Sequence, residues 1–388
     1  VERLDVAVVG AGPFGLSVAG HLAPRFAVRT FGEPMRTWRR RMPPEMLLRS
    51  DWRHTNLSAP GEAGSLDRWV EETGEPRVEP IPLAAFLRYA DWFRTRFVPE
   101  SEPADVEAAE EDGSGFRIAA GGGELWAREL VVAVGVIPFP RVPRAFADLE
   151  DPRVSYAVER TDFHRLAGRR VAIVGGGNNA AETAVLALEA GAASVELLVR
   201  SEVRWFTERE PHTSRTTLGR LLYRTAYPVV GFGPPPINRI ALHPDLFGHL
   251  PEYVRRRLNA RLLRPGAAPW IRRHVEGKAA IRTGCEVESV DTGGESLRLR
   301  LTTGETREVD VCVVAAGYRF DTRGLAFMSP HLRCRIRSED GWPVLDRAFR
   351  SSLPGIRLVG FAAEQRFGPM SRFVEGTRFA ASRVAATA

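Results

Sequence analysis

Lysine is almost missing from this 388-residue chain: Lys278 is the single lysine among 54 basic residues, and arginine supplies the rest. The formal net charge is +6 and the isoelectric point about 9.7, a balance that a nucleic-acid binder would gather into a patch. Here the arginines are spread along the whole chain, so no nucleic-acid partner is expected. Part of the positive charge is instead available to anionic cofactors. Cysteine is scarce too. Cys285, Cys312 and Cys334 lie far apart, with no C-x-x-C pair and no metal-ligand spacing, which argues against a disulfide framework and a zinc site. The eight histidines are likewise scattered, and no metal is expected. A cytoplasmic location is the default. No stretch reaches the roughly 18 uncharged apolar residues of a membrane span, and the opening VERLDVAVVG enters a strand almost at once. Neither a membrane partner nor a secretory signal is expected.

Glycine, by contrast, is placed in two informative clusters. The first, VAVVGAGPFGLSVAG, runs from Val6 to Gly20. An apolar strand over Leu4–Val9 precedes it, and a helix-like segment follows with Leu16, Ala19, Leu22 and Ala23 on one face. A second strand is expected over Phe26–Phe31. This β-turn-α-β context raises G-x-G-x-x-G above a chance match. Gly10 permits the tight turn, Gly12 lets the backbone approach a pyrophosphate, and Gly15 lets the helix pack on the strand. Pro13 and Phe14 complete the turn at a helix N-terminus that offers free N–H groups to phosphates. The second cluster, VAIVGGGNNAAETA, repeats this pattern from Val171 to Ala184. Gly175 and Gly177 hold the turn, Ala180 replaces the third glycine, and Gly191 is placed to end the helix. Asn178 and Asn179 stand at the helix start, where they can cap it or reach the pyrophosphate.

The repeat continues downstream. Short strands after the first unit end at Gly135, and short strands after the second end at Gly317. The predicted fold class is therefore α/β, with two Rossmann-like dinucleotide-binding domains, one for FAD and one for NADPH, each closed by a small β-meander. The FAD-binding domain is expected to be discontinuous, over 1–150 and 305–388, and the NADPH-binding domain to span 151–304. A stretch at about 211–269 fits neither unit. Helical spacing at Tyr253, Leu258, Leu262 and Leu263 predicts an α-helical insertion there, within the NADPH-binding domain, with Pro234–Pro236 as a stiff connector. It could line a substrate entrance or form a homo-oligomer contact; the residues do not choose.

An acidic residue after the second strand usually takes the ribose hydroxyls. In the first unit that place is Gly32, with Glu33 one residue beyond. In the second, the strand ends in Arg200, which suits the 2′-phosphate of NADPH. One charge-assisted bond of roughly 1.5–3 kcal/mol would set a preference over NADH of tenfold or more.

The succession GAGPFG, MRTWRRRMPPEMLLRS, HTNLSAP, GGGNNAAE and VVAAGYRF resembles the class B flavoprotein monooxygenases. That family includes the flavin-containing monooxygenases, the Baeyer–Villiger enzymes and the ornithine and lysine N-hydroxylases. AAGY is similar to the A-T-G-Y stretch of the N-hydroxylating branch, with Ala316 in place of threonine. The resemblance implies a FAD-containing, NADPH-dependent enzyme that consumes molecular oxygen. It oxygenates a small-molecule substrate through a flavin hydroperoxide, with amine N-hydroxylation first and S-oxygenation, Baeyer–Villiger insertion and carbon hydroxylation as alternatives. It places Trp38 against the flavin rings, Arg49 near the cofactor or the nicotinamide, and Asn56 near the oxygen-carrying carbon. The closing segment GFAAEQRFGPMSRFVEGTRFAA, with Gly368 and Pro369, would cover the pyrimidine end of the flavin. One departure is Tyr156, which stands where the superfamily often has histidine; this weakens the Baeyer–Villiger reading.

The side-chain chemistry leaves alternatives open. An amide such as Asn56 can donate to an oxygen ligand and accept from the flavin without titrating, yet asparagine is also a common turn residue. Trp38, flanked by Arg36, Arg39, Arg40 and Arg41, can stack on a flavin or receive an arginine on its face. A flavin reductase or electron-transfer protein is the alternative of another class. A disulfide reductase would need a redox cysteine pair, which the spacing does not provide.

Overall fold

The structure is a computed structural model that describes residues 2–48, 50–157, 159, 163–205 and 237–388. It divides into two compact units, one of Val1–Pro138, Ser214–Leu263 and Phe320–Ala388, the other of Phe139–Thr213 and Arg264–Arg319.

The first unit is built on a seven-stranded sheet. Its strands are β1 (Glu2–Val9), β2 (Val28–Phe31), β3 (Ser101–Glu102), β4 (Val106–Asp112), β5 (Gly115–Ala120), β6 (Gly123–Val132) and β15 (Ile356–Leu358). They run in the order β3-β2-β1-β6-β5-β4, with β15 also on β6. β1 is parallel to both β2 and β6, whereas β4, β5 and β6 form an antiparallel meander. β1 reads as a near-continuous apolar run because Val6, Ala7 and Val8 are all covered, the mark of a central parallel strand. α1 (Pro13–Leu22) lays Leu16, Val18, Ala19 and Leu22 into the core, where a fully buried leucine contributes roughly 1.5–3 kcal/mol. It packs against α11 (Gly376–Thr387) and α4 (Leu83–Phe97). Two more helices, α2 (Arg36–Arg41) and α3 (Leu66–Thr73), lie between β2 and α4 in the chain.

The second unit has a five-stranded, all-parallel sheet in the order β10-β9-β8-β14-β7. The strands are β7 (Val154–Tyr156), β8 (Arg170–Val174), β9 (Ser194–Val199), β10 (Ala280–Thr283) and β14 (Val311–Val314). α5 (Asn178–Glu189) and α9 (Pro269–Val275) share one apolar cluster with Val171, Ile173 and Leu197. The antiparallel meander β11 (Val287–Asp291), β12 (Leu297–Leu301) and β13 (Thr306–Val309) supplies a second cluster. Gly191, at φ +82°, follows α5 in the left-handed position expected of it.

Both domain boundaries and the place of the insertion differ from the sequence expectation. The opening segment of the first unit ends at Pro138, not at 150. A cut at 304/305 falls inside the hairpin that joins β12 to β13, and β14 is hydrogen-bonded to β8 and β7. The second unit therefore runs on to Arg319. Of the stretch at 211–269, residues 211–236, including Pro234–Pro236, lie outside the described residues. The part that follows forms α6 (Ile237–Leu242), α7 (Pro244–His249) and α8 (Glu252–Leu262), all within the first unit. Of the apolar stripe expected on α8 only Tyr253 is exposed, at 68%; Leu258, Leu262 and Leu263 are half-buried, Leu262 against Ala241 and Met370, and Asn259 is the one fully buried residue of the helix. Asn259 donates to the Glu364 carbonyl at 3.1 Å, so a polar contact, invisible to hydrophobic periodicity, orients this helix.

Candidate dinucleotide sites

Each unit carries a glycine turn at the carboxyl end of its central parallel strands, the position at which open α/β sheets bind ligands. In the first, Gly10 sits at φ +110°, and a Cβ there would lie 2.5 Å from the Ala133 carbonyl oxygen. A Cβ on Gly15 would overlap the Gly10 carbonyl, so the helix touches the turn without room for a methyl. Gly12 is different: nothing lies within 4 Å of its missing side chain. Gly12 is the N-cap of α1 and Pro13 opens the helix, with no side-chain cap. The first N–H groups are thus left for an anion. Phe14 has its ring between two backbone glycines, 3.2 Å from a Cβ built on Gly360 and 3.3 Å from one on Gly376. Gly135, at φ +71°, closes the loop two residues beyond Ala133.

The second turn has the same construction. Gly175 sits at φ +148°, and a Cβ on it would run into the carbonyl of Ala315, which lies two residues before Gly317. The pairs Gly10–Ala133 and Gly175–Ala315 are equivalent, and they explain why both meanders end in an Ala-x-Gly pattern. Gly177 faces only Pro265, 3.7 Å from a built Cβ, and is the uncapped N-cap of α5. Asn179, Gly317, Tyr318, Arg141 and Tyr156 line a recess beside this turn. The Tyr156 hydroxyl donates to the Phe146 carbonyl at 3.0 Å. Asn178 does not cap its own helix: its Oδ1 accepts from the Ala268 N–H at 3.0 Å and pins the segment leading into α9 over the turn. Arg200, at the end of β9, is 60% exposed, with one long ion pair of 3.9 Å to Glu286. Its guanidinium is therefore little committed.

The remaining candidate residues belong to the first unit. Glu33 follows Gly32, itself at φ +110°, but its carboxylate is not a free acceptor. Arg40 approaches it at 2.7 Å and Arg36 at 3.3 Å, and Arg36 also pairs with Asp105 at 2.8 Å. Trp38 is half-buried, with its ring 5.0 Å from that of Phe86 at 57°. Three of the four α2 arginines take carboxylates: Arg36 as above, Arg39 with Asp91 and Arg40 with Glu33. Arg49 lies outside the described residues.

Asn56 is held from both ends of its amide, donating to the Arg53 carbonyl and accepting from the Leu66 N–H, each at 2.8 Å. One amide hydrogen remains uncommitted. The Asn56 backbone carbonyl accepts from the Thr377 hydroxyl at 3.4 Å, in the first turn of α11. Buried Tyr89 fixes the same loop, accepting from Leu57 N–H at 2.7 Å and donating to the Gly64 carbonyl at 2.5 Å. Burial pushes its phenol well above the usual tyrosine value, so it stays a neutral donor. Tyr89 escaped sequence reading because its helical spacing only marks it as core.

Gly368 and Pro369 have a packing explanation. A Cβ on Gly368 would lie 2.9 Å from the Phe247 ring on α7, and Pro369 is buried at the start of a short helical turn.

The protein-side space fits dinucleotides. At Gly12 the Cβ position is open and at Gly177 it would make only an ordinary contact with Pro265, while Gly10, Gly15 and Gly175 are closed by backbone. An N-terminus without a side-chain cap, beside an open glycine, is a cradle that phosphate would fill.

Residues 7–220 match the model of the pyridine nucleotide-disulphide oxidoreductase family. The chain belongs to this family. Several solved structures share its fold. Ornithine hydroxylase from Pseudomonas aeruginosa superposes with a TM-score of 0.75 at 17% identity, covering 99% of this chain and 98% of its own. Ornithine N-hydroxylase of Kutzneria sp. 744 gives 0.72 at 17% identity, with coverage of 99% and 98%. Bacillithiol disulfide reductase from Staphylococcus aureus gives 0.64 at 16% identity, with coverage of 100% and 98%. These likenesses establish the two-dinucleotide flavoprotein fold. A FAD-dependent urate hydroxylase of Xanthomonas campestris is 30% identical over 134 residues, 33% of this chain and 28% of the relative's length. No helix among the described residues of this family member is long and apolar enough to cross a membrane.

Proposed function

We propose that this oxidoreductase is a FAD-containing, NADPH-dependent monooxygenase, and that its reaction is N-hydroxylation of a small amine. The observation that carries the reading is the duplicated cradle: two turns of the same design, each with one uncrowded glycine at an uncapped helix N-terminus, in two units of one chain. Bound FAD would supply oxygen activation and bound NADPH the hydride. The chain's own residues would do the rest. Gly12 and the N-terminus of α1 would receive the FAD pyrophosphate, and Gly177 with the N-terminus of α5 that of NADPH. Asn56 would direct its remaining N–H at the reacting oxygen, held in orientation by Arg53 and Leu66. Arg200 would meet the 2′-phosphate. The fold is shared with ornithine hydroxylases across nearly the whole chain, which supports an amine as substrate; the urate hydroxylase likeness supports oxygenation in general.

The thiols speak against a disulfide reductase. Cys285 and Cys312 are buried and Cys334 is exposed, all free. Burial pushes the Cys312 thiol up to about 12, far from a reactive thiolate. Free thiols also fit a cytoplasmic enzyme.

The test is a panel of small amines with purified holoenzyme, following NADPH loss and hydroxylamine by mass. Product stoichiometric with NADPH for at least one amine is expected. Hydrogen peroxide as the sole product, together with efficient disulfide reduction, would overturn the reading in favour of a reductase.

A further inference from the structure

A histidine held by a carboxylate stands two residues before Asn56, in the first unit. Asp51 caps the short helical turn Trp52–His54, accepting from the His54 backbone N–H at 3.1 Å. A cap needs no more than that N–H, yet the same oxygen, Oδ1, also meets His54 Nδ1 at 2.5 Å. Thr55 fixes the turn, donating to the Asp51 carbonyl at 2.7 Å, with its hydroxyl 2.8 Å from that of Ser50. A neutral imidazole bonded in this way carries its proton on Nδ1 and leaves the lone pair of Nε2 free. Nε2 has no hydrogen-bond partner among the described residues. The side chains of Asp51 and His54 keep 29% and 26% of their surface exposed, so the dyad can be reached.

Glu375, half-buried, adds a second carboxylate. It is the N-cap residue of α11, but its side chain does not cap the helix. Among the described residues it takes neither a hydrogen bond nor an ion pair. The backbone on its C-terminal side is fixed. A Cβ on Gly376 would overlap the Met370 carbonyl and lie 3.3 Å from the Phe14 ring of the first cradle, and Thr377 donates to the Asn56 backbone carbonyl at 3.4 Å. The charged groups that act on Glu375 are His54, Arg378 and Asp51. Arg378 is already answered by Glu62 at 2.6 Å. Burial holds the Glu375 carboxyl above its ordinary value; His54 and Arg378 oppose this, and Asp51 adds to it. Two carboxylates thus share one imidazole, a partly desolvated negative charge that a cation would satisfy.

We propose that Asp51, His54 and Glu375 form the site that receives the substrate as a primary alkylammonium ion and removes its proton. The inference rests on the N-hydroxylation proposed above. Oxygen transfer to nitrogen needs the nitrogen lone pair, and an alkylamine, like lysine at roughly 10.4, is protonated near neutral pH. Glu375 pairs with the ammonium. One N–H bond of the ammonium breaks, its electron pair stays on nitrogen, and the proton passes to His54 Nε2. Asp51 stabilises the imidazolium, which returns the proton to water. Asn56 joins the two segments, so the freed lone pair stands beside the amide proposed to orient the reacting oxygen.

The experiment uses FAD-loaded enzyme and two probes of one shape, pentylamine and pentan-1-ol. At about pH 7, calorimetric titration should show the amine bound at least about tenfold more tightly, the worth of one charge-assisted contact. Glu375→Gln should erase that preference and leave alcohol binding as it was. Equal affinity of the wild type for both probes, or a preference that survives Glu375→Gln, overturns the ammonium site. If that variant fails to fold, Glu375→Asp decides, since the shortened carboxylate must reduce the preference. His54→Gln should keep the preference but lower kcat/KM for N-hydroxylation of pentylamine roughly a hundredfold. The deficit should shrink as pH rises toward the value of the free amine, where no base is needed. No deficit, or one independent of pH, overturns the proton step. Hydrogen peroxide as the sole product, with the binding preference intact, would remove the N-hydroxylation and the proton step with it, and leave the ammonium site standing.

Discussion

At Gly12 and Gly15, two glycines of one turn are required for opposite reasons. Gly15 has no room because its own protein fills the space, whereas Gly12 faces nothing within 4 Å. Gly15→Ala should therefore lower the stability of the cofactor-free protein, by roughly 1–3 kcal/mol or more as an overpacked contact. Gly12→Ala should leave that stability unchanged and weaken FAD retention at least about tenfold, or about 1.4 kcal/mol. Denaturant unfolding and FAD titration separate the two. Equal FAD affinity for Gly12→Ala and wild type would show that the open space is not the pyrophosphate cradle. In the other unit, Arg200→Ala should cut the NADPH-over-NADH preference by about tenfold. A Michaelis constant raised equally for both nucleotides would assign Arg200 to the surface.

The crowding at Gly10 and Gly15 and the open side of Gly12 were legible in the sequence because the spacing separates them. The Ala133 and Ala315 carbonyls were not, since each acts through its backbone from a distant strand. Glu33 shows the same limit. Its position beside the turn could be read, but the arginines of α2 that occupy its carboxylate come from a helix whose direction the sequence does not state.

At the level of elements, the first unit ties α1 to the Asn56 loop through polar contacts. His21 on α1 lies 2.9 Å from the Ser58 hydroxyl, and burial holds its imidazole below the ordinary 6.5. The neutral ring is the one that fits. Stability from this contact is present above the unfolded value and is lost as pH falls below it. His21→Gln should flatten the fall in thermal midpoint between about pH 7 and 5; an unchanged slope would place the pH sensitivity elsewhere. At the other end of the unit, Arg357 is 1% exposed. It joins β15 to Glu129 at 3.0 Å, to the Ala348 carbonyl at 3.1 Å and to Thr387 Oγ1 at 2.7 Å. Arg357→Ala should cost about 3–5 kcal/mol by stranding these partners, measured by urea unfolding; a loss below about 1 kcal/mol would mean the pair carries little. Hydrophobic periodicity recovered the strands and α1, and on α8 it found the half-buried leucines but not the buried Asn259. Asn259 and Arg255 attach that helix to the Glu364 and Gln365 carbonyls of α10 (Glu364–Phe367), and such polar anchoring has no period.

Across the whole molecule, the repeat read from two glycine runs corresponds to two units with matching strand–turn–helix construction and different closing sheets. The chain re-enters each unit, so a linear cut at 304/305 was bound to miss: which sheet receives β14 is set by pairing with β8, not by local composition. The central claim is that the two cradles serve one oxygenation. The most direct measurement is a turnover of FAD-loaded enzyme with NADPH, an accepted amine and isotopically labelled dioxygen. The account predicts one labelled oxygen atom in the hydroxylamine for each NADPH consumed. Product oxygen drawn from water, or NADPH oxidised with all label recovered as hydrogen peroxide, would contradict it.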